Sequence, residues 1–537
     1  MSDVFGCLLI GGIRLSPDAD AKEAIREARR RLRGVRLLSE GMELSVYKKS
    51  VDARDKDRVR LVYTVVARGQ VPASLSEGLD GITRLVEAEP TPSIGNAPLS
   101  SRPIVVGSGP CGLFCALLLA EAGYRPILLE RGGDVAERRL AYRRLIEEGY
   151  LDPETNVQFG AGGAGTFSDG KLVTRIRDPF GSCVLKTFVR FGAPEEILTL
   201  AKPHIGTDIL GTVVTNILSE IARLGGDVLM HTTLEGFSAK DGVLTSVSTS
   251  RGEMKAGALV LAVGHSARDT YEMLLSRGFS VEPKAFSVGM RIEHLQEDID
   301  RAMYGRYAGH PALGHAEYTL SSDTKTRGVY TFCMCPGGEV MAAASEEGGV
   351  AVNGMSYHAR DGRNANSAVL ATVFREDYGN TPQNAIAFQR KIERAAFLAA
   401  GGDYRAPVVT VGDFLNGEAK REPDRVLPTY REGRVTVASP DTYLPRIYTD
   451  AIRRALVRFG KTLSGFDAPD AILTGAETRT SAPLRILRGE DHTALGYENI
   501  YPAGEGAGYA GGITSAAVDG VRTALALMAK YKPYGNS

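Results

Sequence analysis

The chain has 537 residues, 43% of them hydrophobic, enough for two or three domains with their own cores. Its 64 basic and 64 acidic side chains cancel, so no overall field draws it to an anionic membrane, and the balance argues against a nucleic-acid partner. Six cysteines in so long a chain do not make a disulfide framework, which points to reduced thiols and a cytoplasmic protein.

The start, MSDVFGCLLIGG, has no basic leader before its apolar run and reads as mature protein. That run, a charged helix-like DADAKEAIREARRRLRG and the alternating MELSVYKKSVDARDKDRVRLVYTVVARG predict a small α+β, ferredoxin-like module over 1–95. The proline-rich EAEPTPSIGNAPLSSRP reads as a linker. A new domain opens behind it. In RPIVVGSGPCGLFCALLLAEAGYRPILLERGG, a buried parallel strand leads into Gly107-Ser-Gly109-Pro110-Cys111-Gly112, then a helix, then a second strand that delivers Glu130 and Arg131. Gly107 permits the tight turn, Gly109 lets the backbone approach a pyrophosphate, and Gly112 lets helix and strand pack. The helix N-terminus offers free N–H groups to phosphates. Glu130, 23 residues past Gly107, stands where an acid holds ribose hydroxyls. The apolar run of this helix is broken by Glu121, Arg125 and Pro126, short of the roughly 20 residues a membrane span requires. The fingerprint does not itself choose between NAD and FAD.

Next comes GAGGAGTFSDGKL, which from Gly165 is one residue short of the phosphate loop of nucleotide hydrolases. Such a loop follows a buried strand and carries Ser or Thr after the lysine. Here the preceding LDPETNVQFGAG is polar and interrupted, and Leu172 follows Lys171. An ATP site is therefore set aside.

The segment ALVLAVGHSARDTY predicts another buried strand, ending at Gly264-His265-Ser266. From FSVGMRIEHLQ onward, short strands with polar turns predict an antiparallel sheet on the substrate side. In YTFCMCPGGEV, a regular strand would place Cys333 and Cys335 on one face, where a redox pair competes with the plainer reading of packed core thiols. Two thiolates do not complete a zinc site, and no metal site is read anywhere. Arg479 and His358 are candidate active-site residues, one for anion recognition and one for proton movement. The final NIYPAGEGAGYAGGITSAAVDGVRTALALM repeats the plan of strand, glycine turn and helix.

Taken together, VVGSGPCGLFCALLLAEAG, NVQFGAGGAGTFSDGKL, YTFCMCPGGEV and YPAGEGAGYAGGITSAAVDG resemble the uncharacterised bacterial FAD-dependent dehydrogenases, distantly similar to glutathione-reductase-type flavoproteins. The resemblance covers nearly the whole chain. It implies bound FAD and oxidoreductase chemistry. On that footing Gly162, Gly163, Gly165, Thr166, Phe167 and Ser168 lie against the cofactor, with Lys171 balancing charge on the reduced flavin. Gly264, His265, Gly504, Glu505, Gly511, Gly512 and Ile513 complete the expected cofactor set. The fold expected is α/β, a Rossmann-like FAD-binding domain assembled from discontinuous segments (102–285 and 471–537) around an inserted antiparallel-sheet, α+β substrate domain (286–470). No second G-x-G-x-x-G with its own βαβ unit appears in the sequence. A small-molecule substrate or a transiently visiting NAD(P)H would then reduce the flavin. A monooxygenase or oxidase using O₂ and a non-catalytic FAD sensor are the alternatives.

Overall fold

In the N-terminal module, strands Asp3–Leu15, Glu43–Asp52, Arg60–Pro72 and Ile82–Arg84 form one antiparallel sheet. The first strand lies between the third and fourth, and the second is an edge, which is the ferredoxin-like strand order. Helix Ala21–Gly34 starts on an Asp20 cap and buries Ala24, Ala28 and Leu32, a stripe at helical spacing that covers one face. The computed structural model describes residues 3–72, 79, 81–174, 178–323 and 327–535.

The linker does not hang free. Gly95 and Ala97 donate backbone hydrogen bonds to Met528 and Lys530 at the end of the last helix, so an extended chain satisfies its polar groups on a neighbour. Behind it stands a five-stranded parallel sheet in the order Ile500–Pro502, Ala258–Leu261, Pro103–Val106, Ile127–Leu129, Asp227–Leu229. Its three central strands are buried throughout, as parallel strands covered on both faces must be. One edge strand comes from the far C-terminus, so the Rossmann-like domain is discontinuous in sequence. Helix Pro110–Glu121 is buried from Cys111 to Ala120. Its partner, the closing helix Ile513–Lys530, comes so near that a Cβ on Gly520 would stand 2.1 Å from the Cys111 carbonyl.

The insert is built on a seven-stranded sheet, in the order Ser321–Asp323, Gly328–Cys335, Asn364–Val373, Phe286–Leu295, Ile472–Glu477, Ala406–Thr410, Val435–Val437. It is antiparallel except for the last pair. Strand Ile472–Glu477 pairs with Phe286–Leu295, which corrects the expected boundary at 470: the insert runs on through Glu477 because that strand's partners are all in its sheet. Module and insert share one hydrophobic core, with Leu8, Ile10 and Val65 in the same cluster as Val288, Met290 and Val369. Among the described residues no helix is long and apolar enough to cross a membrane.

Candidate functional site

Where the parallel sheet meets the insert lies a cavity of about 410 Å³, reaching from Gly107 and Glu130 at one end to Cys333 and Arg479 at the other. Two helices end on it. Helix Pro110–Glu121 begins at Gly109 and helix Ile513–Lys530 at Gly512, and neither has a capping side chain or an acidic residue in its first turn. Their first N–H groups are therefore available to an anionic or carbonyl-bearing ligand. A Cβ added to Gly109, Gly511 or Gly512 would meet nothing within 4 Å; these glycines leave open a space that side chains would fill. Gly112 works differently, since a Cβ there would stand 1.8 Å from the Gly107 carbonyl. It keeps helix and turn in contact.

The glycine loop passes between these helix ends. Residues Gly163–Phe167 form a single 3₁₀ turn, not the strand-to-helix step of a phosphate loop. A Cβ on Gly163 would stand 3.1 Å from Gly109 Cα, and one on Gly165 3.2 Å from Ile513 Cγ1, so the loop fits only because it lacks side chains there. Gly163, Gly165, Ser168 and Lys171 line the cavity. The donor set, two uncapped helix ends and an adjoining glycine loop, suits the pyrophosphate and ring carbonyls of FAD.

Charged side chains surround the rest of the cavity. His265 lines it, and burial, reinforced by Arg479 and Arg268, pushes its pKa down to about 4. Burial pushes the Glu505 carboxyl up to about 7, against Lys284 and the Gly512 N–H. Arg479 donates to both oxygens of Glu393 (2.9 and 3.1 Å), to Ser266 Oγ (3.2 Å) and to Ser345 Oγ. Arg268, 2% exposed, binds the same carboxylate at 2.8 and 2.9 Å. Burial favours the neutral acid of Glu393, but the two guanidinium groups outweigh it and hold the carboxyl well below its usual range. Glu393 sits on the insert's helix Pro382–Ala399 and Arg268 on the flavin-side helix Arg268–Ser276, so this cluster fixes the insert to the sheet domain. Deeper in, Lys171 Nζ donates to Asp169 (2.7 Å) and to the Met334 carbonyl. Arg360 bridges Asp169 (2.6 Å) and Glu317 (2.8 Å).

The family model described as "FAD-dependent protein, C-terminal domain-like" matches residues 285–480, and the one described as "NAD(P)-binding Rossmann-like domain" matches residues 105–166. A protein of Clostridium beijerinckii described as "Uncharacterized protein" is 46% identical over 494 residues, covering 91% of this chain and 92% of its own. The chain belongs to the family of bacterial FAD-dependent dehydrogenases that its motifs resemble. FAD is the cofactor of this flavoprotein. Among solved structures, glycine oxidase from Bacillus cereus is similar over 81% of this chain and 99% of its own at 10% identity and a TM-score of 0.36. L-proline dehydrogenase from P. horikoshii is similar over 80% and 93% at 13% identity and a TM-score of 0.32.

Of the residues singled out in the sequence, the cavity of this flavoprotein is lined by Gly107, Gly109, Pro110, Cys111, Glu130, Arg131, Gly264, His265, Glu505, Gly511, Gly512, Ile513, Cys333 and Arg479, besides the loop residues above. Others stand elsewhere. His358 is not a cavity residue: its ring stacks on His204 at 5.3 Å and its Nδ1 meets the Ile205 carbonyl, because its turn folds back over Gly206. Thr166 and Phe167 turn away, Thr166 Oγ1 donating to the Ala161 carbonyl and Phe167 lying under Arg138. Gly162 and Gly504 pack against Val214 and Cys111 rather than facing the cavity. Glu130 lines the cavity, yet its carboxylate already accepts from the Ser108, Gly132 and Gly160 N–H groups and from Ser108 Oγ at 2.7–3.1 Å. Four donors fill its lone pairs, so it ties turn, strand end and glycine loop together and is not the free ribose acceptor expected. Lys171 is likewise already neutralised, by Asp169. Glu477, Glu317 and Asp169 complete the far end, with Arg291 (0% exposed) paired to Glu477 behind the wall. Only Asp169, two residues before Lys171 in SDGK, had a local signal.

Proposed function

We propose that this protein is an FAD-dependent dehydrogenase in which a hydride passes between a small organic substrate and flavin N5, the two-electron chemistry the cofactor supplies when bound. The observation that carries this is the continuity of the cavity, from two uncapped helix ends to a polar chamber walled by the insert. The N–H groups beyond Gly109 and Gly512, the backbone of Gly163 and Gly165, and Arg131 would hold the cofactor. Asn353 and Thr480, which line the cavity on the insert side, would orient the substrate by hydrogen bonds. Glu505, with its pKa near neutrality, is suited to hold or release a proton there. His265 is neutral at neutral pH and offers a hydrogen bond without a charge. NAD(P)H is the candidate transient reductant.

The test is the visible spectrum of purified protein before and after anaerobic addition of NADH or NADPH. Flavin bands near about 370 and 450 nm that bleach with nicotinamide are expected. Bands that stay unbleached with nicotinamide would overturn it as the electron source. Rapid reoxidation in air with peroxide release would favour an oxidase. Protein that is colourless and cannot be reconstituted with FAD would overturn the reading as a whole.

A further inference from the structure

Strand Gly328–Cys335 does not end as a regular strand. Its register with Asn364–Val373 slips between Phe332 and Cys335, and Cys333 takes a left-handed conformation, φ 46°. A side chain there is strained and persists only where its surroundings impose it. The bulge turns Cys333 into the cavity wall while Cys335 stays fully buried behind it, donating to the Cys333 carbonyl at 3.3 Å. The two cysteines, expected to be equivalent neighbours on one face, are thus unequal. Arg291 holds the bulge from below: it donates to the Cys333 carbonyl at 3.1 Å and is itself gripped by both oxygens of Glu477 at 2.7 and 2.8 Å. From the other side Lys171 donates to the carbonyl of Met334, the residue between them.

We propose that Cys333 and Cys335 form an exchangeable dithiol and that this end of the cavity takes a small organic disulfide. Cys333 is the attacking thiol and Cys335 the resolving one. The groups facing Cys333 are Cys335, Arg291 with Glu477, and Lys171 with Asp169. The neighbouring Cys335, then Arg291 and Lys171, bring the Cys333 thiol below the ordinary thiol range in spite of burial, while Cys335 is raised well above it. Cys333, in the cavity wall, is therefore the sulfur that ionises first and Cys335 the one that keeps its proton, the asymmetry that sequential exchange needs. Phe332 (44% exposed) and Val173 (52% exposed) line the same cavity and give apolar substituents of a disulfide somewhere to rest.

The steps balance. The Cys333 thiolate attacks one sulfur of R–S–S–R′, forming a mixed disulfide and releasing R′–S⁻, which takes a proton from water. Cys335 gives up its proton and attacks Cys333 Sγ, releasing R–S⁻ and closing the Cys333 to Cys335 disulfide. The substrate disulfide has gained the two electrons that the protein dithiol has lost, together with two protons, one from water to R′–S⁻ and one from Cys335 to R–S⁻. Their return requires reduced FAD and, behind it, a nicotinamide; in that step alone the proposal rests on the flavin reading.

The test uses FAD-loaded, unreduced protein under anaerobic conditions, with dipyridyl disulfide as the probe and peptide mass spectrometry as the readout. The wild type should retain no pyridyl group on this peptide and lose two hydrogens from it, with a second equivalent of thiopyridone released. Cys335→Ser should trap the pyridyl group on Cys333. Cys333→Ser should leave Cys335 unmodified. A pyridyl group retained on wild-type Cys333, or labelling of half-exposed Cys7 and Cys183 while the Cys333–Cys335 peptide keeps both its hydrogens, would overturn the proposal. Both variants are to be compared with wild type in flavin absorbance and thermal unfolding, so that a misfolded variant is recognised, and the wild-type result decides by itself. The alkylation rate of Cys333 should rise with a midpoint clearly below the ordinary thiol value of about 8.5; a midpoint at that value would remove the thiolate. These readouts do not use flavin reduction. Exchange failing in protein whose flavin bleaches defeats the dithiol alone, and exchange proceeding in protein that binds no flavin defeats the flavin reading alone.

Discussion

The two ends of the cavity are made of different material. At the nucleotide end the contacts come from backbone: glycines, two helix N-termini and a 3₁₀ turn, with Glu130 consumed in holding them together. At the insert end they come from side chains in ion pairs, Arg291 with Glu477, Arg360 with Asp169 and Glu317, Arg479 with Glu393. A backbone site tolerates little change in shape but does not titrate. A site of buried charges tolerates changes in shape better but is bound to its charge balance, because a charge left alone in the interior costs several kcal/mol.

The sharpest contrast should come from cutting one buried pair. Arg291→Met leaves Glu477, whose side chain is 5% exposed, without its bidentate partner, and is expected to lower stability by about 3–5 kcal/mol. Arg291→Met with Glu477→Leu should recover much of that loss. Urea unfolding of both proteins checks it; a single variant as stable as wild type would mean that the pair is not the uncompensated-charge trap described.

Next in size is a pH effect confined to the charged surroundings of the cavity. His265 has a folded pKa of about 4, below its unfolded value of about 6.5. The neutral ring therefore contributes stability that is present above pH 6.5 and lost as pH falls toward 4. Wild type should lose on the order of 1–3 kcal/mol relative to His265→Asn across that interval, allowing for screening at a half-buried ring. Parallel stability curves for the two proteins between pH 7 and 4 would contradict it. Glycine substitutions at the other end should show no such divergence.

The same division decides what could be read in the sequence. The nucleotide end is written in short stretches, since a tight turn, a close approach and a helix start each need glycine at a fixed offset. G-x-G-x-x-G with its strands and helix, and the strand, turn and helix at the C-terminus, gave the discontinuous parallel sheet correctly. What a free acid would do was misread at Glu130, because its four donors include Gly160, 30 residues on. The insert end draws on positions 169, 291, 317, 333, 360 and 477, and no spacing rule connects residues that meet only through sheet pairing and the packing of distant loops. His358 looked as eligible as Arg479. The bulge at Cys333 was equally hidden, since periodicity predicts a regular strand, while the Cys333 carbonyl is held by Arg291 from the next strand but one.

Within the backbone-built end, Gly109 and Gly112 separate binding from folding. A methyl at Gly109 meets no atom within 4 Å and projects into open space at the cavity. Gly109→Ala should therefore fold normally and lose FAD affinity by about tenfold or more, about 1.4 kcal/mol, measured by titrating flavin-stripped protein. Gly112→Ala, with its methyl 1.8 Å from a carbonyl, should instead yield little folded protein. Equal FAD affinity in Gly109→Ala and wild type would move the cofactor away from this turn.

The smallest effect is expected where the charged end reaches solvent. Lys202 lines the cavity with 55% of its side chain exposed and pairs with Glu317 at 3.4 Å. Such a pair is worth about 0–1 kcal/mol, so Lys202→Ala should leave the unfolding midpoint almost unchanged, in contrast with Arg291→Met. Its charge, however, acts on whatever enters. If an anionic nicotinamide is the reductant, flavin reduction in Lys202→Ala should slow several-fold at low ionic strength and converge with wild type as salt screens the field over about 10 Å at 0.1 M. A rate difference that persists unchanged in high salt would assign Lys202 a direct contact instead of a steering role. That outcome would carry the charged, ion-paired region of the site outward to the surface and leave the backbone-built region as its inner half alone.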